Sequence, residues 1–363
     1  MTPHDLLDGL RSRRPAALAR AISLVENGAA GFEAILEALH GDLGRARRIG
    51  TTGPPGAGKS TLIERLTQAY RQAGLTVGVL AVDPSSPFTG GALLGDRIRM
   101  ERQSLDPGVF IRSMASRGSL GGMATTTGEV ADVMDAFGFD RIVIETVGVG
   151  QSELDIIRVA DTTVVVLVPE SGDGIQVMKA GLMEIADVFV VNKSDRPGSD
   201  RLRQELEVAL GVRTGNAYRH IPAHHGVELS GQTPRRQEAK DGGSGGAGAE
   251  GRGGAQAVAH APPWEPPVVG TVAAKGTGTD ELVEALDRHF GAQEGSGELE
   301  RHRHLRLEQR TREVVDRAVR RWTWSAEGPR PTLDAALGDV AAGRESPYGA
   351  ARRVVRALTR GGA

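Results

Sequence analysis

Eight residues, Gly53-Pro54-Pro55-Gly56-Ala57-Gly58-Lys59-Ser60, constrain this chain more than any other stretch. They fit G-x-x-x-x-G-K-[ST], the spacing of a loop that wraps phosphate groups. The pattern works only between a strand and a helix. Residues 48–52 read as a short strand, and 60–73 read as a helix with Leu62, Ile63, Leu66 and Ala69 along one face. Glycines let backbone N–H groups approach phosphate oxygens with no Cβ in the way. The helix start adds unpaired donors and the positive end of its dipole. In such a loop Gly53 to Thr61 line the phosphates, Lys59 neutralises the β- and γ-phosphates, and the Ser60 hydroxyl ligates Mg²⁺. The chain therefore has to build a nucleoside triphosphate fold around this point.

A second motif selects the base. Asn192-Lys193-Ser194-Asp195 follows an apolar run, 188–191, that reads as a buried parallel strand. The Asp195 carboxylate can accept together from a ring N1–H and an exocyclic amine, a donor pair that guanine has and adenine lacks. A buried acceptor facing adenine would be left unpaired. Asn192, Lys193 and Asp195 are thus expected to bind the guanine side. Thr271-Val272-Ala273-Ala274-Lys275, at the end of the last expected strand, can place Ala273 and Lys275 against the base. Together the motifs specify GTP and GDP rather than ATP.

Strands and helices alternate between these points. Strands are expected at 76–82, 109–112, 141–144, 162–168, 188–191 and 268–272, with helices at 126–137, 153–159, 177–185, 202–210 and 280–289. Nearly continuous Val/Ile runs joined by helical crossovers indicate an α/β P-loop NTPase fold: a mostly parallel sheet covered by helices on both faces. Ligands of such sheets bind at the carboxyl ends of the strands. Residues 1–47 read as an N-terminal helical extension and 48–296 as the nucleotide-binding domain. Residues 231–262 contain one Val and no Leu, Ile, Met or aromatic residue, the composition of a disordered insertion. Residues 297–363 read as a C-terminal helical arm in which arginine outnumbers acidic residues fourteen to nine, and which is expected to dimerise.

Several acidic residues fall at strand ends. Asp83 closes the second strand, where a carboxylate can hold Mg²⁺ directly or through water. Asp96 lies on the following loop, placed to carry charge toward the γ-phosphate. Glu145 ends the fourth strand and can order the Mg²⁺ shell or the attacking water, and Gly148 follows where a backbone N–H can meet the γ-phosphate. The expected catalytic set is Lys59, Asp96 and Glu145, and the expected metal set is Ser60, Asp83, Asp96 and Glu145. Asp173, Gln176 and Lys179 lie on a glycine-containing loop with the composition of a switch.

The formal net charge is −2 over 363 residues, so nothing global points to nucleic acid or a membrane surface. The absence of cysteine excludes disulfides, thiolate metal sites and cysteine nucleophiles and fits a reducing cytoplasm. No apolar run approaches the roughly 18 residues of a membrane span. Residues 1–14 lack the apolar stretch of a signal peptide.

These motifs, with Val82-Asp83-Pro84-Ser85-Ser86, Gly118-Ser119-Leu120-Gly121-Gly122 and Glu145-Thr146-Val147-Gly148-Val149-Gly150-Gln151-Ser152, resemble those of the MeaB/ArgK family of P-loop GTPases. The resemblance covers about residues 15–290 and departs from the usual pattern at Val272, where Ser is more common. It implies a homodimeric GTPase acting as chaperone of an adenosylcobalamin-dependent acyl-CoA mutase such as methylmalonyl-CoA mutase. It also implies an active site at Lys59, Asp83, Asp96 and Glu145, with the Asp173–Lys179 loop signalling to the partner. Two other readings are a kinase or ATPase linked to basic amino-acid transport and a nickel-type metallochaperone GTPase.

Overall fold

A computed structural model describes residues 3–84, 103, 105–116, 122–146, 154–169, 181–213, 264–325 and 330–360. The expected insertion at 231–262 lies outside the described residues, as do Asp96, Gly148, Asp173, Gln176 and Lys179.

Among the described residues seven strands form one sheet: β1 (Arg47–Thr52), β2 (Val77–Pro84), β3 (Val109–Ser116), β4 (Arg141–Glu145), β5 (Thr162–Leu167), β6 (Val188–Asn192) and β7 (Val268–Thr271). Their order is β3-β2-β4-β1-β5-β6-β7 and every pairing is parallel. β5 is buried at each of its six positions, which explains its unbroken run of β-branched residues: a central parallel strand has no solvent face to give to polar side chains. β1 sits between β4 and β5, so the chain leaves it toward one half of the sheet and later crosses to the other. The crevice for a ligand opens at the carboxyl end of β1, where that direction changes.

Helices cover both faces. On one, α4 (Lys59–Gln72) packs Leu62, Ile63 and Leu66 against Val77, Val143 and Val164, beside Leu282, Leu286 and Phe290 of α8 (Thr279–Ser296). Each of the three α4 side chains is fully buried and contributes about 1.5–3 kcal/mol. On the other face α1 (Pro3–Arg11), α2 (Pro15–Glu26), α3 (Phe32–Leu39) and α5 (Gly122–Phe137) share a core with Leu80, Ile142 and Ile144. The N-terminal helices are thus part of the main hydrophobic core. Two helices flank β6: the short α6 (Leu182–Ile185) and α7 (Ser199–Arg213).

Some expected bounds change. The helix expected at 153–159 is a four-residue 3-10 turn, Asp155–Arg158. The turn closes with the Val159 and Ala160 N–H groups both on the Ile156 carbonyl, at 3.1 and 3.0 Å, and the Asp161 N–H then goes to the Arg48 carbonyl at 2.8 Å as the chain enters β5 at Thr162. Of the helix expected at 177–185, only the final turn lies within the described residues. The strand expected to end at Arg112 continues to Ser116, because β2 supplies pairing partners through Pro84 regardless of β3's weaker propensity there.

The C-terminal helices are α9 (Glu298–Thr323), α10 (Arg330–Ala341) and α11 (Pro347–Arg360). α9 lies along α5, and its arginines meet carboxylates of the nucleotide domain. Arg303 donates to Asp161 at 2.8 Å, Arg306 and Arg310 pair with Asp161 and Asp132, and Arg317 donates to Glu129 at 2.6 Å. Glu313 accepts from Thr125 Oγ1 at 2.6 Å and from Arg158 at 2.9 Å. Much of the positive charge expected on the arm is therefore matched inside the chain. The opposite side of α9 leaves Val315, Val319 and Trp322 exposed.

Candidate nucleotide-binding site

The loop from Gly53 to Gly58 leaves the carboxyl end of β1 and turns into α4. Two glycines are obligatory there. Gly53 has φ 133°, and a Cβ on it would lie 2.1 Å from the Val166 carbonyl oxygen. Gly58, the residue before α4, has φ 88°, and its Cβ would fall 2.4 Å from Asn192 Nδ2. Pro55 and Gly56 form the exposed tip of the loop. The loop leads directly into the first turn of α4, and the first amides of a helix have no intrahelical carbonyl to bind. This is a cradle for an anion.

Lys59 is buried, its ammonium donating to the Gly53 carbonyl at 2.8 Å and the Pro54 carbonyl at 3.2 Å. The side chain is curled over its own loop. Beside it, Ser60 Oγ donates to Glu145 Oε1 at 2.7 Å. Glu145 is the last residue of β4 and is 6% exposed. A hydroxyl and a carboxylate at the rim of a phosphate cradle are hard oxygen donors of the type that Mg²⁺ takes. Asp83 lies near the end of β2, in register with Ala115 of β3. The neighbouring strand ends are locked by Thr146, whose N–H donates to Thr51 O at 3.0 Å and whose hydroxyl donates to Thr52 Oγ1 at 2.9 Å.

Asn192 fastens the base side to the phosphate side. Its Nδ2 donates to the Ala57 carbonyl at 2.7 Å, and its Oδ1 accepts from Thr271 Oγ1 at 3.1 Å and the Ala273 N–H at 3.0 Å. One buried amide thus joins three loops that are up to 216 residues apart in sequence. Lys193 has φ 57°, a left-handed conformation that is uncommon for a lysine and is found where surrounding structure imposes it. Asp195 pairs with Lys275 at 2.8 Å, and that hydrogen bond and charge hold its carboxyl below the usual carboxylate range. Ala273 and Lys275 lie in the 3-10 turn that follows β7.

The structure therefore brings together Gly53 to Thr61, Glu145, Asn192, Lys193, Asp195, Ala273 and Lys275 around the carboxyl ends of β1, β4, β6 and β7. A cavity of about 400 Å³ lies elsewhere, between α5 and α9. Its Arg48, Arg303 and Arg310 guanidiniums already face Asp132, Asp135 or Asp161, which makes it a seam between packed elements. Sequence reasoning missed Arg65, which donates from α4 to the Ala273 and Ala274 carbonyls at 3.0 and 2.9 Å. Its only sequence signal was a charged position on an amphipathic helix, which ordinarily marks a solvated face.

A sequence model of the methylmalonyl-CoA mutase-associated GTPase MeaB matches residues 18–328. The chain belongs to the MeaB family of GTPases. A Pyrococcus horikoshii protein whose name describes it as a GTPase is 44% identical over 316 residues, 87% of this chain and 86% of that protein. The mouse mitochondrial methylmalonic aciduria type A homolog is 47% identical over 148 residues, 41% of this chain and 36% of that protein. A crystal structure of a LAO/AO transport system kinase aligns over 99% of this chain and 98% of its own, with a TM-score of 0.62 and 26% identity. As a MeaB-family GTPase with a P-loop NTPase fold, the chain binds guanine nucleotide. No helix among the described residues is long and apolar enough to cross a membrane.

Proposed function

We propose that this MeaB-family GTPase is a chaperone of an adenosylcobalamin-dependent acyl-CoA mutase, with GTP hydrolysis gating cofactor loading and protection or reactivation of the mutase. The observation that carries this reading is the family match over 18–328, since that family is described by its association with methylmalonyl-CoA mutase. The mouse relative, named for methylmalonic aciduria, supports the same direction.

Within this reading the chain's own groups divide the work. Lys59 leaves the Gly53 and Pro54 carbonyls and turns to the β- and γ-phosphates, while the amides at the start of α4 hold the phosphate oxygens. Ser60 and Glu145, joined at 2.7 Å, would hold Mg²⁺ with Asp83 of β2 and with Asp96, which lies outside the described residues. Bound Mg²⁺ supplies charge neutralisation at the phosphate oxygens. In this reading Glu145 also orients the attacking water, and catalysis is mainly electrostatic. Asp195 accepts from the guanine edge once Lys275 shifts aside, with Ala273 beside the base. Gly148 adds a backbone donor at the γ-phosphate, and the loop holding Asp173, Gln176 and Lys179 signals to the mutase. The protein works in the cytoplasm as a homodimer through residues 297–363, whose α9 offers the exposed Val315, Val319 and Trp322.

The test is GTP hydrolysis by the pure protein with and without the adenosylcobalamin mutase of the same organism. Strong stimulation, lost in Glu145→Ala, is expected. An unresponsive basal rate would leave the GTPase and remove the mutase. A phosphorylated protein product would instead favour a kinase.

A further inference from the structure

Arg65 sits two helical turns past the phosphate loop, yet its guanidinium is directed to the opposite end of the nucleotide site. Nε donates to the Ala273 carbonyl at 3.0 Å and Nη2 to the Ala274 carbonyl at 2.9 Å. Nη1 donates to Gln68 Oε1 at 3.2 Å. The plane is thus fixed on two successive backbone carbonyls and one side-chain amide, a fork geometry that lysine cannot reproduce. The clamp is not needed to hold α4, which is already fastened by fully buried Leu62, Ile63 and Leu66.

A trans peptide points its C=O and N–H in opposite directions. With the Ala273 and Ala274 carbonyls turned to Arg65, the N–H groups of Ala274 and Lys275 are turned away from α4. The Lys275 N–H is used within the turn, donating to Val272 O at 2.8 Å. The Lys275 ammonium meets Asp195 at 2.8 Å, so the turn and the base-reading carboxylate border the same space. A guanidinium on the Ala273 carbonyl also polarises that peptide unit and strengthens the Ala274 N–H as a donor. A 6-oxo group on the base would accept from it. The 6-amino group of adenine would oppose donor to donor.

We propose that Arg65 is a specificity-positioning residue: by clamping the Ala273 and Ala274 carbonyls it aims the Ala274 N–H at the 6-oxo group of the bound guanine. The proposal rests on the reading of Asp195 as the acceptor for the other edge of the same base. The two residues then divide recognition, Arg65 acting through the 6-oxo group and Asp195 through N1–H and the 2-amino group.

The experiment is equilibrium competition against a fluorescent N-methylanthraniloyl GDP, with GDP, IDP and ADP as competitors. IDP keeps the 6-oxo group and lacks the 2-amino group. R65A is expected to weaken GDP and IDP alike by about tenfold, the value of one well-placed hydrogen bond, and to leave ADP unchanged. R65K should recover part of the loss, and in GTP hydrolysis the R65A defect should appear as a raised KM for GTP. D195N should give the other pattern, losing more on GDP than on IDP. Equal loss for all three nucleotides would make Arg65 a structural residue and overturn the proposal. So would unchanged GDP affinity, or a loss on GDP that spares IDP. If R65A does not fold, R65M keeps the aliphatic packing without the donors and is read by the same criteria.

Discussion

Ser60 Oγ donates to Glu145 Oε1 across 2.7 Å, tying the first turn of α4 to the end of β4. The two residues are 85 apart in sequence and come from different motifs. Their contact turns two separate sequence hints into one oxygen-rich corner beside the phosphate cradle. Glu145→Gln keeps the shape and removes the charge. The Mg²⁺ concentration for half-maximal hydrolysis is expected to rise about 10- to 100-fold, as when supports of a metal site are altered. GDP affinity in the presence of EDTA should hold. A Mg²⁺ titration of hydrolysis checks this, and an unchanged midpoint would remove Glu145 from the metal set.

Lys59 is buried against the carbonyls of Gly53 and Pro54. Lys59→Ala removes the loop's mobile positive charge. It is expected to lower kcat by about 10²–10³ or more, on the scale of losing one preorganised electrostatic contact, and to weaken GTP binding. Single-turnover hydrolysis and nucleotide binding measure both. Normal turnover in this variant would exclude the loop as the catalytic centre.

Asp195 is held ionised by Lys275. Asp195→Asn retains size but offers a donor where the guanine edge also donates. GTP should weaken by about tenfold or more, the effect of losing a charged hydrogen bond, and the preference over ATP should fall. Competition binding with the four common nucleotides gives the result, and intact guanine preference would place base reading elsewhere.

Asp161 has no side-chain exposure and is surrounded by Arg303, Arg306 and the Arg48 N–H. Burial pushes its carboxyl up, but the Arg303 hydrogen bond and the charges of Arg306, Arg303 and Arg48 outweigh it and hold the pKa at about 2. Its stabilising contribution is therefore complete above the ordinary value of 3.8 and is lost as pH falls through about 2. At neutral pH, Asp161→Asn would strand arginines of α9 and should cost about 3 kcal/mol or more in denaturant unfolding. A loss under about 0.5 kcal/mol would mean that α9 is held by other contacts.

His289 is buried between Thr162, whose hydroxyl is 2.8 Å from Nδ1, and the Trp264 ring. Burial first, then the nearby His302, lowers its pKa to about 4. The unfolded chain binds this proton below pH 6.5 while the native protein resists it, so stability should fall as pH drops from 6.5 through about 4. The loss is about 2 kcal/mol by pH 5 and about 3 kcal/mol once pH reaches 4. Unfolding free energies at pH 7.5 and 5 should differ accordingly, and His289→Gln should flatten the difference. An equally steep profile in that variant would assign the effect to other groups.

The phosphate loop, the base motif and the alternating Val/Ile strands were legible in the sequence because each is local. A loop needing positive φ at Gly58, a buried strand needing β-branched residues, and a helix start needing free amides leave their marks within a few residues. That placed β1, α4, β6 and the Gly53–Ser60 and Asn192–Asp195 segments without any tertiary information. The 3-10 turn at Asp155–Arg158 was not legible, since the backbone bond from Asp161 to Arg48 on β1, which draws the chain into β5, joins residues 113 apart.

What only the tertiary structure decided is which distant groups meet. Arg65 and Ala273 are separated by 208 residues, and Arg303 and Asp161 by 142. A charged residue on a helix carries no local sign of its partner, so the sequence alone left Arg65 as a solvated charge and α9 as a basic arm. The parallel sheet converts them into a clamp on the base-side turn and a ladder on α5. It does so by bringing the carboxyl ends of β1 and β7 to one rim and laying α9 against buried carboxylates. Their desolvation leaves arginine as the partner that satisfies them.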